Sequence, residues 1–143
     1  MAEKIDFVQL ESPFGAQTAD AVAENIAYAY AAMRDSLYRG EAPFASHLLY
    51  TQMLNDWDAV ERDMGITAGL AIGEFATRTV VYEDLGISRG MQMGIGHALE
   101  LGRPVEYRRL FPQNATRAEI IGAIATNSPL PLDVIRRVYA PNL

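Results

Sequence analysis

The stretch that most constrains the fold runs from Val80 to Tyr107, VVYEDLGISRGMQMGIGHALELGRPVEY. Val80, Val81 and Tyr82 are β-prone, and Gly86 permits a tight turn. From Ser88 the apolar residues Met91, Ile95, Ala98 and Leu99 recur at helical spacing until Gly102 and Pro104 stop the pattern. β-like character returns at Val105 and Tyr107. Strand, helix and strand joined by connections this short predict a βαβ unit, with parallel strands and a right-handed crossover.

Such a unit offers a ligand site where its helix begins. Gly86 and Gly90 let backbone approach a ligand closely, Ser88 places a hydroxyl at the N-cap, and Arg89 adds a full positive charge. Together with the first-turn N–H groups and the helix dipole, these features attract an anion. A helix that is merely well capped would read the same way. The GxSxG string is not a hydrolase nucleophile elbow, because His97 is the only histidine after it and no Asp…His order follows.

Charge narrows the class of ligand. Residues 1–84 hold 14 acidic and 5 basic side chains, whereas residues 85–143 hold 4 acidic and 7 basic, so the positive surplus begins at the glycine turn. Eleven of the 12 cations are arginine, the residue suited to bidentate phosphate contact. They are too few, on a chain of net charge −6, for a duplex nucleic-acid surface. A small phosphorylated ligand fits better. With no cysteine there is no disulfide or thiolate chemistry, and we expect neither a metal nor a cofactor. No signal-like segment precedes the first strand and no apolar run reaches membrane-spanning length, so a cytoplasmic protein without membrane contact is the expectation.

In chain order, Lys4 to Leu10 reads as the first strand and Thr18 to Arg39 as a long helix with Val22, Ile26, Ala29, Met33 and Leu37 on its buried stripe. Tyr28 and Tyr30 cannot both lie on that stripe, and Asn25 can point to the first loop. Pro43 to Ala45 predicts a short second strand, followed by His47 and Tyr50 in a loop. His47 there either donates to a base or phosphate or is satisfied under a lid; Tyr50 can stack on a ring. Gln52 to Trp57 reads as the lid, with Asp58 and Glu61 spaced as a capping box. The next helix, Asp58 to Ala76, carries Gly65, Gly69 and Gly73 on one face. That face serves either a homo-oligomer interface or close packing on the sheet. Thr116 to Thr126 and Pro131 to Tyr139 complete the helices.

Three strings carry a family resemblance: Ser12-Pro13-Phe14-Gly15 after the first strand, Ser46-His47 after the second, and Ser88-x-Gly90 with Gly96-x-Ala98 and Gly102-Arg103-Pro104. Together they resemble the nucleoside 2-deoxyribosyltransferase-like proteins, which include the 2'-deoxynucleoside 5'-monophosphate N-glycosidases. Gly40 to Tyr50, GEAPFASHLLY, is similar to phage and bacterial relatives of that group. The resemblance implies that the first loop wraps a sugar and that subunits associate through helices. It also implies a catalytic glutamate two residues before the helix glycine, where this chain has Gly94. A relocated carboxylate, Glu11 or Glu83, would have to replace it, while Asp84 either faces the ligand or bonds turn N–H groups.

The expected architecture is a three-layer α/β domain, flavodoxin- or Rossmann-like, with a mostly parallel sheet of four or five strands in the order 2-1-3-4. Residues 1–110 form the α/β unit, and 111–143 are its C-terminal helical extension. The cleft gathers Glu11, Ser12, Pro13, Phe14, Gly15, His47, Tyr50, Asp84, Gly86, Ser88, Arg89, Gly90 and Gly94. Three functions follow: a protein that binds or sequesters a nucleoside phosphate or ADP-ribose-type ligand without turnover, an active N-glycosidase or deoxyribosyltransferase, and a non-catalytic scaffold subunit.

Overall fold

The computed structural model describes residues 4–143; the first three residues of the expected 1–110 unit lie outside it. The strands are β1 (Phe7–Glu11), β2 (Ala42–Phe44), β3 (Arg78–Tyr82) and β4 (Val105–Arg108). The helices are α1 (Ala19–Tyr38), α2 (Ser46–Leu49), α3 (Ala59–Gly73), α4 (Arg89–Glu100), α5 (Arg117–Asn127) and α6 (Leu132–Tyr139). All strand pairs are parallel, in the order β2-β1-β3-β4. This is the expected three-layer α/β architecture, with four strands among the described residues.

Period-two alternation divides the sheet. Val8, Leu10, Val80 and Tyr82 join one core with Val22 and Ile26 of α1 and with Ile120, Ile124 and Ile135 of α5 and α6. Gln9 and Glu11 point to the opposite face, where Gly73 of α3 and Gly94 of α4 lie against them. α1 is packed against both the sheet core and the α5–α6 pair, which explains its buried alanines Ala23, Ala27, Ala29 and Ala32. Its expected stripe is corrected at the end: Leu37 is 58% exposed, and Ser36 is the buried residue of the last turn. The stripe on α4 is corrected too. Met91, Gly94 and Ala98 face inward, whereas Leu99 is 65% exposed, so the buried line runs through the glycine.

Two further expectations change. Residues 46–49, taken as loop, form a helical turn that continues into a 3-10 turn at Tyr50–Gln52. The glycine face of α3 is occupied within the chain. A Cβ at Gly69 would meet the Ser46 side chain at 2.6 Å, and one at Gly73 would meet Oε1 of Gln9 at 2.7 Å. These glycines admit the β2–α2 turn and the sheet, so the close-packing reading accounts for their cost of about 1 kcal/mol each. Asp58 caps α3, accepting from the N–H groups of Val60 and Glu61, but the capping box is not reciprocal: Glu61 accepts from the Asn55 N–H instead.

Opposite the α4 end, charge is buried in a network. Glu41 receives both guanidinium nitrogens of Arg108, each at 2.7 Å, the Ser36 hydroxyl at 2.8 Å and Arg78 at 2.5 Å. The Arg108 bonds chiefly hold its carboxyl down to about 2. Since the folded state favours the ionised form, this stabilisation is complete above about 4.5 and is lost as pH falls toward 2. Glu41→Ala leaves Arg108, which is 6% exposed, with only the half-exposed Glu106 carboxylate and the Tyr82 hydroxyl, and is expected to cost about 3 kcal/mol in denaturant unfolding at neutral pH. That deficit should shrink at pH 3, partway through the range in which the native protein loses the same stabilisation.

Candidate functional site

A cavity of about 360 Å³ opens on the α3–α4 face, at the carboxyl end of β1 and the N-terminal end of α4. Parallel strands lead the chain into loops at this edge, where open α/β sheets hold ligands. One wall is the β1 loop. Phe14 is buried there, its carbonyl fixed by Nδ2 of Asn25 at 2.9 Å, and its ring meets Trp57 with centroids 6.0 Å apart. Tyr139 supports the same ring from α6 and donates to the carbonyl of Leu48, while the Thr51 hydroxyl donates to the carbonyl of His47. The α2 segment is thereby pinned over the cavity as structured wall.

The chemistry sits at the base. Glu11, the last residue of β1, is desolvated, and burial pushes its carboxyl up to about 8; a hydrogen bond from Gln9 and the charge of Arg103 oppose that rise without cancelling it. Arg103 lies buried beneath the sheet edge, held by the Thr79 hydroxyl and the Gly73 carbonyl. Glu11 packs directly against Gly94: a Cβ built there would fall 2.5 Å from its carboxyl carbon. Beside it, Oγ of Ser12 and Nε2 of His47 are 2.7 Å apart. Burial holds the His47 imidazole down to about 4, so it is neutral at physiological pH.

The far end is the start of α4. Ser88 caps the helix, its Oγ accepting from the Met91 N–H at 3.3 Å while its own N–H donates to Sδ of Met91. Arg89 and Gly90 line the cavity at this first turn, where backbone N–H groups lack helical acceptors. Arg89 is paired with no carboxylate among the described residues.

Of the residues expected at the cleft, Glu11, Ser12, Phe14, Gly15, His47, Tyr50, Ser88, Arg89, Gly90 and Gly94 line one cavity. Four do not. Glu83 turns toward Arg109, 3.4 Å away. Asp84 is committed to the fold: its carboxylate accepts from the Tyr28 hydroxyl at 2.5 Å and from the N–H groups of Leu110 and Phe111, so it ties the start of the C-terminal segment to α1 rather than capping its own turn. Gly86 supplies the turn itself, at φ +88°, and Pro13 is buried away from the opening. Sequence reasoning passed over Gln9, Asp56 and Arg62, which also line the cavity. Alternation about the apolar Val8 and Leu10 would have put Gln9 beside Glu11, whereas Asp56 and Arg62, 3.8 Å apart, meet only through the fold. Among the described residues no His, Asp and Glu cluster could hold a metal ion, and no helix is long and apolar enough to cross a membrane.

No curated protein matches the chain. A solved structure of a 2-deoxyribosyltransferase from the psychrotolerant bacterium Bacillus psychrosaccharolyticus matches over 91% of this chain and 90% of that one, with a TM-score of 0.55 at 15% identity. A likeness this remote speaks for the fold. The family described as "Domain of unknown function (DUF7768)" matches residues 6–108, the whole parallel sheet with the cavity residues it carries, and the chain belongs to that family.

Proposed function

We propose that the cavity binds a nucleoside phosphate and cleaves its N-glycosidic bond, with Glu11 as the carboxylate at the sugar. The observation that carries this reading is the contact between Glu11 and Gly94: a carboxyl from β1 occupies the space that a side chain at position 94 would fill. The resemblance to deoxyribosyltransferase-like enzymes asks for a carboxylate at position 94. A carboxyl supplied there by Glu11 supports turnover over binding alone.

The remaining walls suit the same ligand. Ser88, Arg89 and the open N–H groups of α4 favour a phosphate. Phe14, Trp57 and Tyr50 offer aromatic surface to a base. Between these ends lie Glu11 and the Ser12–His47 pair, at the position of the sugar.

Incubation with deoxynucleoside and nucleoside 5'-monophosphates, NAD and ADP-ribose should release free base, read by chromatography. Thermal stabilisation without product would overturn catalysis in favour of binding alone, and neither response would leave a scaffold. Ser88→Asp tests the phosphate end. A carboxylate there should weaken a nucleotide by about tenfold or more relative to its nucleoside, the value of a charge-assisted hydrogen bond. Equal weakening of both would remove the phosphate from this end.

A further inference from the structure

If Glu11 attacks the anomeric carbon as the bond to the base nitrogen breaks, that electron pair leaves with the base, which takes its proton from solvent, and the sugar held on Glu11 must then be freed by a step for which Glu11 cannot be the base. Once its oxygen is bonded to the anomeric carbon, the carboxyl has no charge with which to accept a proton. The acids at the cavity mouth are engaged: Asp56 faces Arg62 at 3.8 Å, and Glu61 accepts from the Asn55 N–H. A base that remains beside Glu11 is the Ser12–His47 pair, 2.7 Å apart and part of the cavity wall.

We infer that Ser12 and His47 form a proton relay that activates the attacking acceptor, water or another hydroxyl, in the second half of the reaction. The inference rests on the N-glycosidic reading of the cavity. Ser12 is 4% exposed and lines the same cavity as Glu11 and His47. In the direction that the relay requires, the Ser12 hydroxyl donates to Nε2 of His47 and the Oγ lone pairs accept from the incoming O–H. Position is secured from behind, since the Thr51 and Tyr139 hydroxyls hold the backbone of the His47 turn.

The step balances. The acceptor oxygen bonds to the anomeric carbon, the bond from that carbon to Glu11 breaks, and its electron pair returns to the carboxylate. The acceptor's proton passes to Oγ of Ser12 as the serine proton passes to Nε2 of His47, and the imidazolium releases it to solvent. A burial-weakened imidazole is a poor base on its own. Here it becomes positive as Glu11 becomes negative, and the two opposite charges form within one cavity.

His47→Asn and Ser12→Ala therefore stall after the first half. With the 2'-deoxynucleoside 5'-monophosphate that the native protein cleaves fastest, each variant should release about one equivalent of base per site, then turn over at least about 100-fold more slowly than the native protein. Intact mass should show a sugar phosphate retained on the chain. Sodium azide, a nucleophile with no proton to lose, should restart both variants and yield a glycosyl azide, and it should not rescue Glu11→Gln. If the variants turn over like the native protein, or slow equally in the first turnover, or ignore azide, the relay is overturned while the glycosidic reading stands. If the native protein releases no base from any nucleotide, the glycosidic reading falls and takes the relay with it.

Discussion

Glu11→Gln is expected to leave the protein folded and able to bind nucleotide while lowering base release by at least about 10³-fold. The change is isosteric, so the contact with Gly94 survives, and only the ability to carry negative charge is lost. The native protein should show that ability in its pH dependence. With a carboxyl pushed up to about 8 by burial, Glu11 is mostly protonated in the empty cavity at neutral pH. A group that attacks or stabilises a sugar cation must be ionised, so kcat/KM should rise about tenfold per pH unit and level off above 8. A fall through that region would make Glu11 a proton donor instead. Stability runs the other way. The folded state holds this proton more tightly than the unfolded chain, whose value is near 4.5, so the contribution is full below 4.5 and declines as pH climbs to 8. Glu11→Gln cannot ionise, so its melting temperature should gain on the native protein's between pH 5 and pH 8.

The sheet order and its parallel pairing were legible because they follow from local signals: apolar β runs, capped helices and short connections. Thr18, Ser88 and Thr116 each cap the helix that their sequence announces. What misled was periodicity at helix faces that meet more than one neighbour. Leu37 and Leu99 continue an apolar pattern yet lie outside, because the buried line is set by Ser36 bonding Glu41 and by Gly94 beneath Glu11. The site was half legible for a similar reason. Loop residues near strand ends can be named from order along the chain, but direction cannot. Glu83 and Asp84 occupy the right strand end and point to Arg109 and Tyr28, while Gln9 bonds the carboxyl from a position that carries no motif and Arg103, which the sequence marks only as part of the Gly102-Arg103-Pro104 string, acts on it through its charge.

The Glu11–Gly94 contact yields the sharpest test, because the two positions are complementary. Gly94 lies on the buried line of α4, and any side chain there collides with the Glu11 carboxyl unless that carboxyl moves. Gly94→Glu alone is therefore expected to abolish base release. It places two carboxyls in a space shaped for one, where like charges cannot both ionise, and it displaces Glu11 from the sugar. The loss should not be a folding defect, since removing a helix-interior glycine gains about 1 kcal/mol to set against the crowding. Pairing the change with Glu11→Ala clears the space. The new carboxylate then approaches the same volume from the helix instead of the strand, and the double variant should recover base release to at least about tenfold above either single variant, about 1.4 kcal/mol regained where additivity predicts a further loss. Such recovery, from two substitutions that are each inactivating, would mean that the site needs one carboxyl at that point and accepts it from either side. If the double variant binds nucleotide and remains as inactive as the single ones, a carboxyl in that space is not what breaks the bond, and Glu11 loses its place as the catalytic group.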